Sequence, residues 1–114
     1  SKGVVSALFR GIPDYPQERF FFRCPDHLKD AAMTNVSNVL TSEKGVRDVS
    51  KLDGVRVDFG DGGWILIRKS GTEPKIRVYC EGRSPARLRQ LVRKSSGLVK
   101  KSIGAAQRAS MRSR

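Results

Sequence analysis

At 114 residues the chain is long enough for one modest hydrophobic core and too short for two. Its formal net charge of +12 is unevenly placed: residues 1–82 carry 13 Lys or Arg against 11 Asp or Glu, whereas residues 83–114 carry 10 and no acid. No apolar run approaches the roughly 20 residues that cross a bilayer and no signal-peptide pattern opens the chain, so a membrane protein is excluded and a cytoplasmic location expected.

The opening Ser1-Lys2-Gly3 lacks an initiator Met, as expected of a piece of a longer polypeptide. Val4, Val5, Leu8 and Phe9 recur at helical spacing until Gly11 and Pro13 stop the segment. After the Asp14-Tyr15-Pro16-Gln17 turn, Phe20-Phe21-Phe22-Arg23 suits a short edge strand whose rings need a helix or a neighbouring domain as cover. A helix is predicted from about Asp26 to Leu40, with Leu28, Ala32, Met33, Val36, Val39 and Leu40 on one face. Pro25 is admissible in its first turn and Asp26 is favourable at its positive end. His27 has no acid, hydroxyl or metal-binding neighbour in the pattern and reads as solvent-facing. Cys24 and Cys80 form no Cys-x-x-Cys pair and read as reduced thiols in or near the core, with a disulfide between them left open. One His and no ligand cluster argue against a metal site.

Gly45 to Lys51 predicts a short strand and Asp53-Gly54 a turn. Val55, Val57 and Phe59 alternate with Arg56 and Asp58, the period of a half-buried strand. Gly60-Asp61-Gly62-Gly63 reads as a hairpin connection, and strands from Trp64 to Arg68 and Lys75 to Glu81 complete four sequential strands, most simply a meander. Trp64 reads as core or rim packing rather than as a sugar platform. Ser84-Pro85 begins a second helix whose apolar stripe is Leu88, Leu91, Val92, Leu98, Val99 and Ile103. Gly97 weakens its middle by roughly 1 kcal/mol relative to Ala. From Gly104 onward no core-facing period survives, so residues 104–114 are expected to be a disordered basic tail. Helix, four strands, helix predicts an α+β fold: a four-stranded antiparallel sheet with two helices on one face.

Between the last two strands lies Arg68-Lys69-Ser70-Gly71-Thr72-Glu73-Pro74-Lys75. Its chemistry suits a phosphate. Gly71 lets the backbone approach an anion, the hydroxyls of Ser70 and Thr72 are neutral donors, and Arg68 and Arg77 each offer a planar fork that matches phosphate oxygens. An ordinary hairpin connection has the same Ser-Gly-Thr composition. Asp53-Gly54-Val55-Arg56-Val57, Trp64, this loop and Ile76-Arg77-Val78-Tyr79, in that order, resemble the C-terminal domain of the α-D-phosphohexomutases, the family of phosphoglucomutase, phosphomannomutase and phosphoglucosamine mutase. The family's loop reads Arg-Pro-Ser-Gly-Thr-Glu-Pro. The likeness runs from about Leu8 to Leu91 and takes in Ile12-Pro13-Asp14-Tyr15 and Cys24-Pro25-Asp26. Lys69 stands where the family usually has Pro, which loosens the loop and adds a positive charge.

The resemblance implies a TATA-binding-protein-like fold, a hinge segment over residues 1–23 leading from a preceding domain, and a phosphate-binding domain over residues 24–103. It implies a fragment of an isomerase of carbohydrate metabolism, an intramolecular phosphotransferase that moves phosphate between the 1- and 6-positions of a hexose phosphate. Mg²⁺ would serve the full-length enzyme from an absent domain. The chain has no Thr-Ala-Ser-His-Asn-Pro segment and no Asp-x-Asp-x-Asp run, so by itself it is expected to be inactive. By motif, Arg68, Ser70, Gly71 and Thr72 would grip the phosphate that is not transferred, with Arg77 a further contact unless it pairs with Glu73 or Glu81. The implied partners are a glucose, mannose or glucosamine phosphate and the preceding domains of the same enzyme. The competing class is a free-standing RNA-binding module using Arg87, Arg89, Arg93, Lys94, Lys100 and Lys101 on the helix over residues 84–101. No aromatic interleaves these charges and no paired exposed aromatics are expected on the sheet, which points to non-specific attraction of nucleic acid only.

Overall fold

The computed structural model describes residues 15–112, so the helical spacing expected over Val4, Val5, Leu8 and Phe9 lies outside the described residues, as does most of Ile12-Pro13-Asp14-Tyr15. Strands β1 (Gln17–Arg23), β2 (Asp48–Ser50), β3 (Val55–Asp58), β4 (Trp64–Lys69) and β5 (Lys75–Glu81) form one antiparallel sheet in the order β1-β5-β4-β3-β2. Helices α1 (Lys29–Leu40, entered through a 3-10 turn at Asp26–Leu28) and α2 (Pro85–Arg112) pack on one face of it. From β2 to β5 the sheet is the expected meander, and the alternation of apolar and polar residues decides which side faces the helices. Val55, Val57, Ile65, Ile67, Ile76, Val78 and Cys80 point inward and meet Leu28, Ala32, Val36, Leu40, Leu91 and Val99. Burying aliphatic side chains of this size contributes roughly 1.5–3 kcal/mol each. Met33 packs partly against this core, whereas Val39 stays 44% exposed.

The sheet has five strands: the four of the expected meander and, at one edge, the strand expected around Phe20–Arg23, which the four-stranded count left out. The additional strand is β1, which lies along β5 with Phe20 opposite Val78 and Phe22 opposite Ile76. Phe20 and Phe22 tuck against the core, edge to face at 5.8 Å, and Phe21 turns to the opposite side. Three consecutive Phe residues carry no polar alternation, so the period that reveals the other strands is hidden here. Residues 17–23, counted from the sequence as the end of a linker, therefore belong to the sheet.

The second difference is at the other end. Arg87 N–H donates to Ser84 Oγ at 3.1 Å, the expected cap, but α2 then runs through Gly97 and on to Arg112. The tail expected to be disordered is helical over its described residues, with Ala106 buried and Gln107, Ser110 and Met111 beside Leu28 and the 3-10 turn. Its buried stripe is Leu91, Ser95, Val99, Ser102 and Ala106. Ser95 Oγ donates to the Leu91 carbonyl at 2.8 Å and Ser102 Oγ accepts from Asn35 Nδ2 at 2.8 Å, so both hydroxyls are satisfied inside the helix pair. Cys24 and Cys80 are buried free thiols, each pushed above the ordinary cysteine value by burial. His27 is exposed, and among the described residues no helix is long and apolar enough to cross a membrane.

Candidate functional site

Strands β4 and β5 hold the Ser70–Pro74 loop between them, closed by Ser70 N–H to the Lys75 carbonyl at 2.9 Å. Ser70 is buried, and its Oγ accepts the N–H groups of Thr72 at 3.3 Å and Glu73 at 3.1 Å, a side-chain turn inside the backbone turn. Beneath the loop lies Lys29, 7% exposed at the first position of α1. Its Nζ donates to the Ser70 and Glu73 carbonyls, both at 2.7 Å, and pairs with Asp26 Oδ1 at 2.7 Å. The carbonyls thus point inward, while Gly71 and Thr72 are exposed. Gly71 does not have a positive φ, and a Cβ there would meet no atom within 4 Å. Its contribution is an unobstructed outer surface rather than a strained turn.

Arg68 and Arg77 stand directly opposite each other on the sheet face away from the helices. Like charges so placed repel, and each is offset by an acid. Arg77 Nη2 pairs with Glu73 Oε1 at 2.8 Å, the alternative partner weighed from the sequence, and Glu73 also reaches Lys75 Nζ at 3.3 Å. Arg68 Nη1 lies 3.5 Å from Asp53 Oδ2, and its guanidinium sits 5.8 Å from the Tyr79 ring centre. The Tyr79 hydroxyl, with Asp53 adding a smaller effect, raises the Arg68 guanidinium above even its ordinary value. Lys69 reaches Asp30 on α1, and that hydrogen bond holds the Asp30 carboxyl below the usual carboxylate range. Gly54, at φ +97°, presses against the base of Arg68: a Cβ there would come within 2.5 Å of the Ile67 carbonyl oxygen and 2.6 Å of Arg68 Cβ. A groove of about 690 Å³ adjoins this corner, lined by Asp30, Thr34, Asn38, Asp53, Arg68 and Lys69 among others.

The fold therefore brings Arg68, Ser70, Gly71 and Thr72 together at one corner, with Arg77 beside them but engaged by Glu73. Lys29, Asp53 and Tyr79 are parts of the same corner that the sequence did not single out. The Asp53-Gly54 pair was visible as a turn, but nothing in the sequence marks Lys29 as buried.

Two features bear on the nucleic-acid alternative. The open sheet face does carry aromatics, but each lies under a cation: Arg56 is 4.3 Å from the Trp64 ring centre and Lys75 Nζ 4.0 Å from that of Phe21. A base would have to displace those cations in order to stack. The basic residues of α2 do not form one face either. At 100° per residue, Arg87, Lys94 and Lys101 lie roughly 120° around the helix from Arg89, Arg93 and Lys100. Arg87 Nε pairs with Asp61 at 3.0 Å and Lys94 Nζ with Glu43 at 2.6 Å. Among the described residues, no three His, Cys, Asp or Glu side chains converge as metal ligands.

Comparison with known proteins agrees with this arrangement. The profile of the phosphoglucomutase/phosphomannomutase C-terminal domain matches residues 22–95. A probable phosphoglucosamine mutase of Methanothermobacter thermautotrophicus is 36% identical over 105 residues, covering 91% of this chain and 23% of that protein. One from Methanopyrus kandleri is 44% identical over 87 residues, 76% of this chain and 19% of that protein. A phosphopentomutase of Thermococcus kodakarensis is 36% identical over 110 residues, 93% of this chain and 24% of that protein. Among solved structures, a phosphoglucomutase/phosphomannomutase family protein from Burkholderia thailandensis superimposes with a TM-score of 0.57 at 25% identity, over 90% of this chain and 20% of that one. The chain spans about a quarter or less of the length of these relatives. With a profile that runs from the end of β1 into α2 and takes in the loop, this chain belongs to the phosphoglucomutase/phosphomannomutase family and carries its C-terminal domain.

Proposed function

We propose that this chain is the phosphate anchor of a sugar-phosphate mutase, gripping the phosphate that is not being transferred while the other end of the sugar meets catalytic groups in preceding domains. One observation carries the reading: at the Ser70–Pro74 loop the carbonyls of Ser70 and Glu73 are drawn inward while Gly71 and Thr72 are exposed, with Arg68 just before the loop in β4. Arg68 forks onto two phosphate oxygens, and Gly71 N–H and the Thr72 hydroxyl add donors. Ser70 Oγ already accepts two N–H groups, so its own proton remains to be donated. Arg77 joins these donors when the anion displaces Glu73 from it.

A mutase has to read one sugar in two opposite orientations, so a fixed grip on the idle phosphate sets the position of the reacting one. Phosphoryl transfer depends mainly on such positioning and on charge. The described residues do not fit a Mg²⁺ site, and no step here passes through that ion. With neither a nucleophile beside its base nor a carboxylate metal cluster among the described residues, the chain alone is read as binding phosphate and turning nothing over. Relatives named for phosphoglucosamine and for phosphopentose chemistry match over the same region. The anchor is accordingly read as indifferent to the sugar, accepting the phosphates of glucose, mannose, glucosamine or a pentose alike.

An NMR titration of the chain with inorganic phosphate and with glucosamine 6-phosphate tests this. Shifts are expected at the amides of Ser70 to Thr72 and at the Arg68 side chain. A response confined to residues 84–101 would replace the anchor with a basic polyanion-binding helix, and mutase turnover by the chain alone would refute the division of labour.

A further inference from the structure

We propose that Lys29 is a positioning residue for this loop: it holds the Ser70 and Glu73 carbonyl oxygens beneath and so leaves the Gly71 N–H above, where the outer surface accepts an anion. The proposal rests on the phosphate reading given above. Lys29 is a nearly fully buried cation with three donors and three acceptors, the Ser70 and Glu73 carbonyls and Asp26 Oδ1, each at 2.7 Å. Both carbonyls lie far away in sequence, and together they bracket the Ser70–Glu73 turn.

In a trans peptide the C=O and the following N–H point in opposite directions. Fixing the Ser70 carbonyl on Lys29 therefore aims the Gly71 N–H outward. The Glu73 carbonyl precedes Pro74, whose nitrogen bears no hydrogen, so that peptide offers an anion only its negative end, and Lys29, with the Lys75 N–H that also donates to this carbonyl at 2.7 Å, holds it off the rim. Gly71 makes the sorting necessary. A glycine peptide turns over easily because no Cβ opposes it, and a flipped Ser70–Gly71 unit would present a carbonyl oxygen to the phosphate. The buried ammonium also adds a positive charge under the loop, paired with Asp26, which is itself 79% exposed. Lys29 touches no ligand in this scheme and acts through the loop.

The test compares phosphate affinity in the 114-residue chain, read from the Gly71 and Thr72 amides, for the unmutated protein, Lys29→Met, Lys29→Arg and Arg68→Ala. Lys29→Met keeps the apolar stem and loses the donors, so phosphate binding should weaken about 10-fold or more while the β3 to β5 amides stay in place. Lys29→Arg, which can still donate to both carbonyls, should recover most of it. Unchanged affinity in Lys29→Met overturns the proposal, as does a Lys29→Arg protein as weak as Lys29→Met. Should Lys29→Met fail to fold, the unmutated chain decides the matter: the Lys29 Nζ resonance should move with the Gly71 amide at one common phosphate midpoint, and an Nζ signal indifferent to phosphate overturns the proposal. A phosphate response that survives Arg68→Ala would instead defeat the anchor reading itself.

Discussion

Replacing Gly54 by Ala is expected to damage the fold and the site together. At φ +97° Gly54 occupies the left-handed region, where an L side chain costs roughly 1–2 kcal/mol. The added Cβ would also lie 2.5 Å from the Ile67 carbonyl oxygen and 2.6 Å from Arg68 Cβ. Neither is the free end of a flexible side chain, so the Asp53-Gly54 turn has to lift away from β4, which costs about another 1–2 kcal/mol, as overpacking does elsewhere. A total of roughly 2–4 kcal/mol lowers the unfolding midpoint of a domain this size by about 8–32 °C, since 1 kcal/mol shifts it by about 4–8 °C. The clash falls on the Cα and Cβ of Arg68, so whatever remains folded should hold that side chain less firmly and respond less to phosphate. Thermal unfolding by circular dichroism, run beside Gly71→Ala, isolates the cause. That variant makes the same chemical change at a glycine without positive φ whose Cβ meets nothing, and its midpoint should stay put or rise slightly. A Gly54→Ala midpoint within about 4 °C of the unmutated chain would refute the close-approach argument.

In a protein that joins this chain to its preceding domains, Arg68→Lys should lower kcat/KM roughly 10-fold or more, because an ammonium cannot fork onto phosphate, whereas Lys100→Ala combined with Lys101→Ala should be nearly silent; a silent Arg68→Lys removes the anchor role. Deleting residues 105–114 should lower the unfolding midpoint by about 4 °C or more, because Ala106 is lost from its buried place and Leu28 loses its neighbours Gln107, Ser110 and Met111. An unchanged midpoint would show that the last turns of α2 do not hold the fold. The Gly63 N–H, and to a smaller degree Arg87, hold the Asp61 carboxyl below its ordinary value, so its stabilisation is fully present above the unfolded carboxylate pKa of about 3.9 and is lost as pH falls through the lower folded value. Asp61→Asn should therefore destabilise by roughly 0.5–1 kcal/mol at neutral pH, a modest figure because the pair is part-exposed and screened, and should match the unmutated chain near pH 2. Urea melts across that range check this, and a deficit that does not change with pH would refute it.

What the sequence disclosed, and what it did not, follows from where each determinant lies along the chain. Strands β3 and β5 were legible because alternation is local: Val55 and Val57 against Arg56 and Asp58, or Ile76, Val78 and Cys80 against Arg77 and Tyr79, mark one buried face within a few residues, whereas β4 was read from an apolar run, Trp64 to Ile67, set between Gly63 and Arg68. Strand β1 was seen as an apolar run but not placed, because Phe20-Phe21-Phe22 is apolar on both faces and only pairing with β5 distinguishes them. The last turns of α2, from Gly104 onward, were missed because their buried position is Ala106, a small residue that marks no core-facing period among Ser, Arg and Gly. Ser102 and Ala106 lie inside because small side chains let the helix sit close to α1, with Asn35 as hydrogen-bond partner of Ser102.

The candidate site divides in the same way. Its outer rim is written in one stretch, Arg68 to Thr72, so it could be read directly. The means of rigidifying that rim could not. Where the family's loop carries Pro, this chain carries Lys69, whose Nζ reaches Asp30; both side chains are more than half exposed, 52% and 87%, and pairs so open to solvent hold geometry weakly. Fixing the loop therefore falls to groups that are out of water: the Ser70 hydroxyl folded under its own turn and the Lys29 ammonium, 41 residues away from Ser70 in sequence, bonded to the two carbonyls that bracket it. A lysine in the first turn of a helix reads as a solvated charge unless the packing is known. Here burial removes its competition with water, and the same ammonium that an exposed position would leave to solvent orients the peptides of the loop above it.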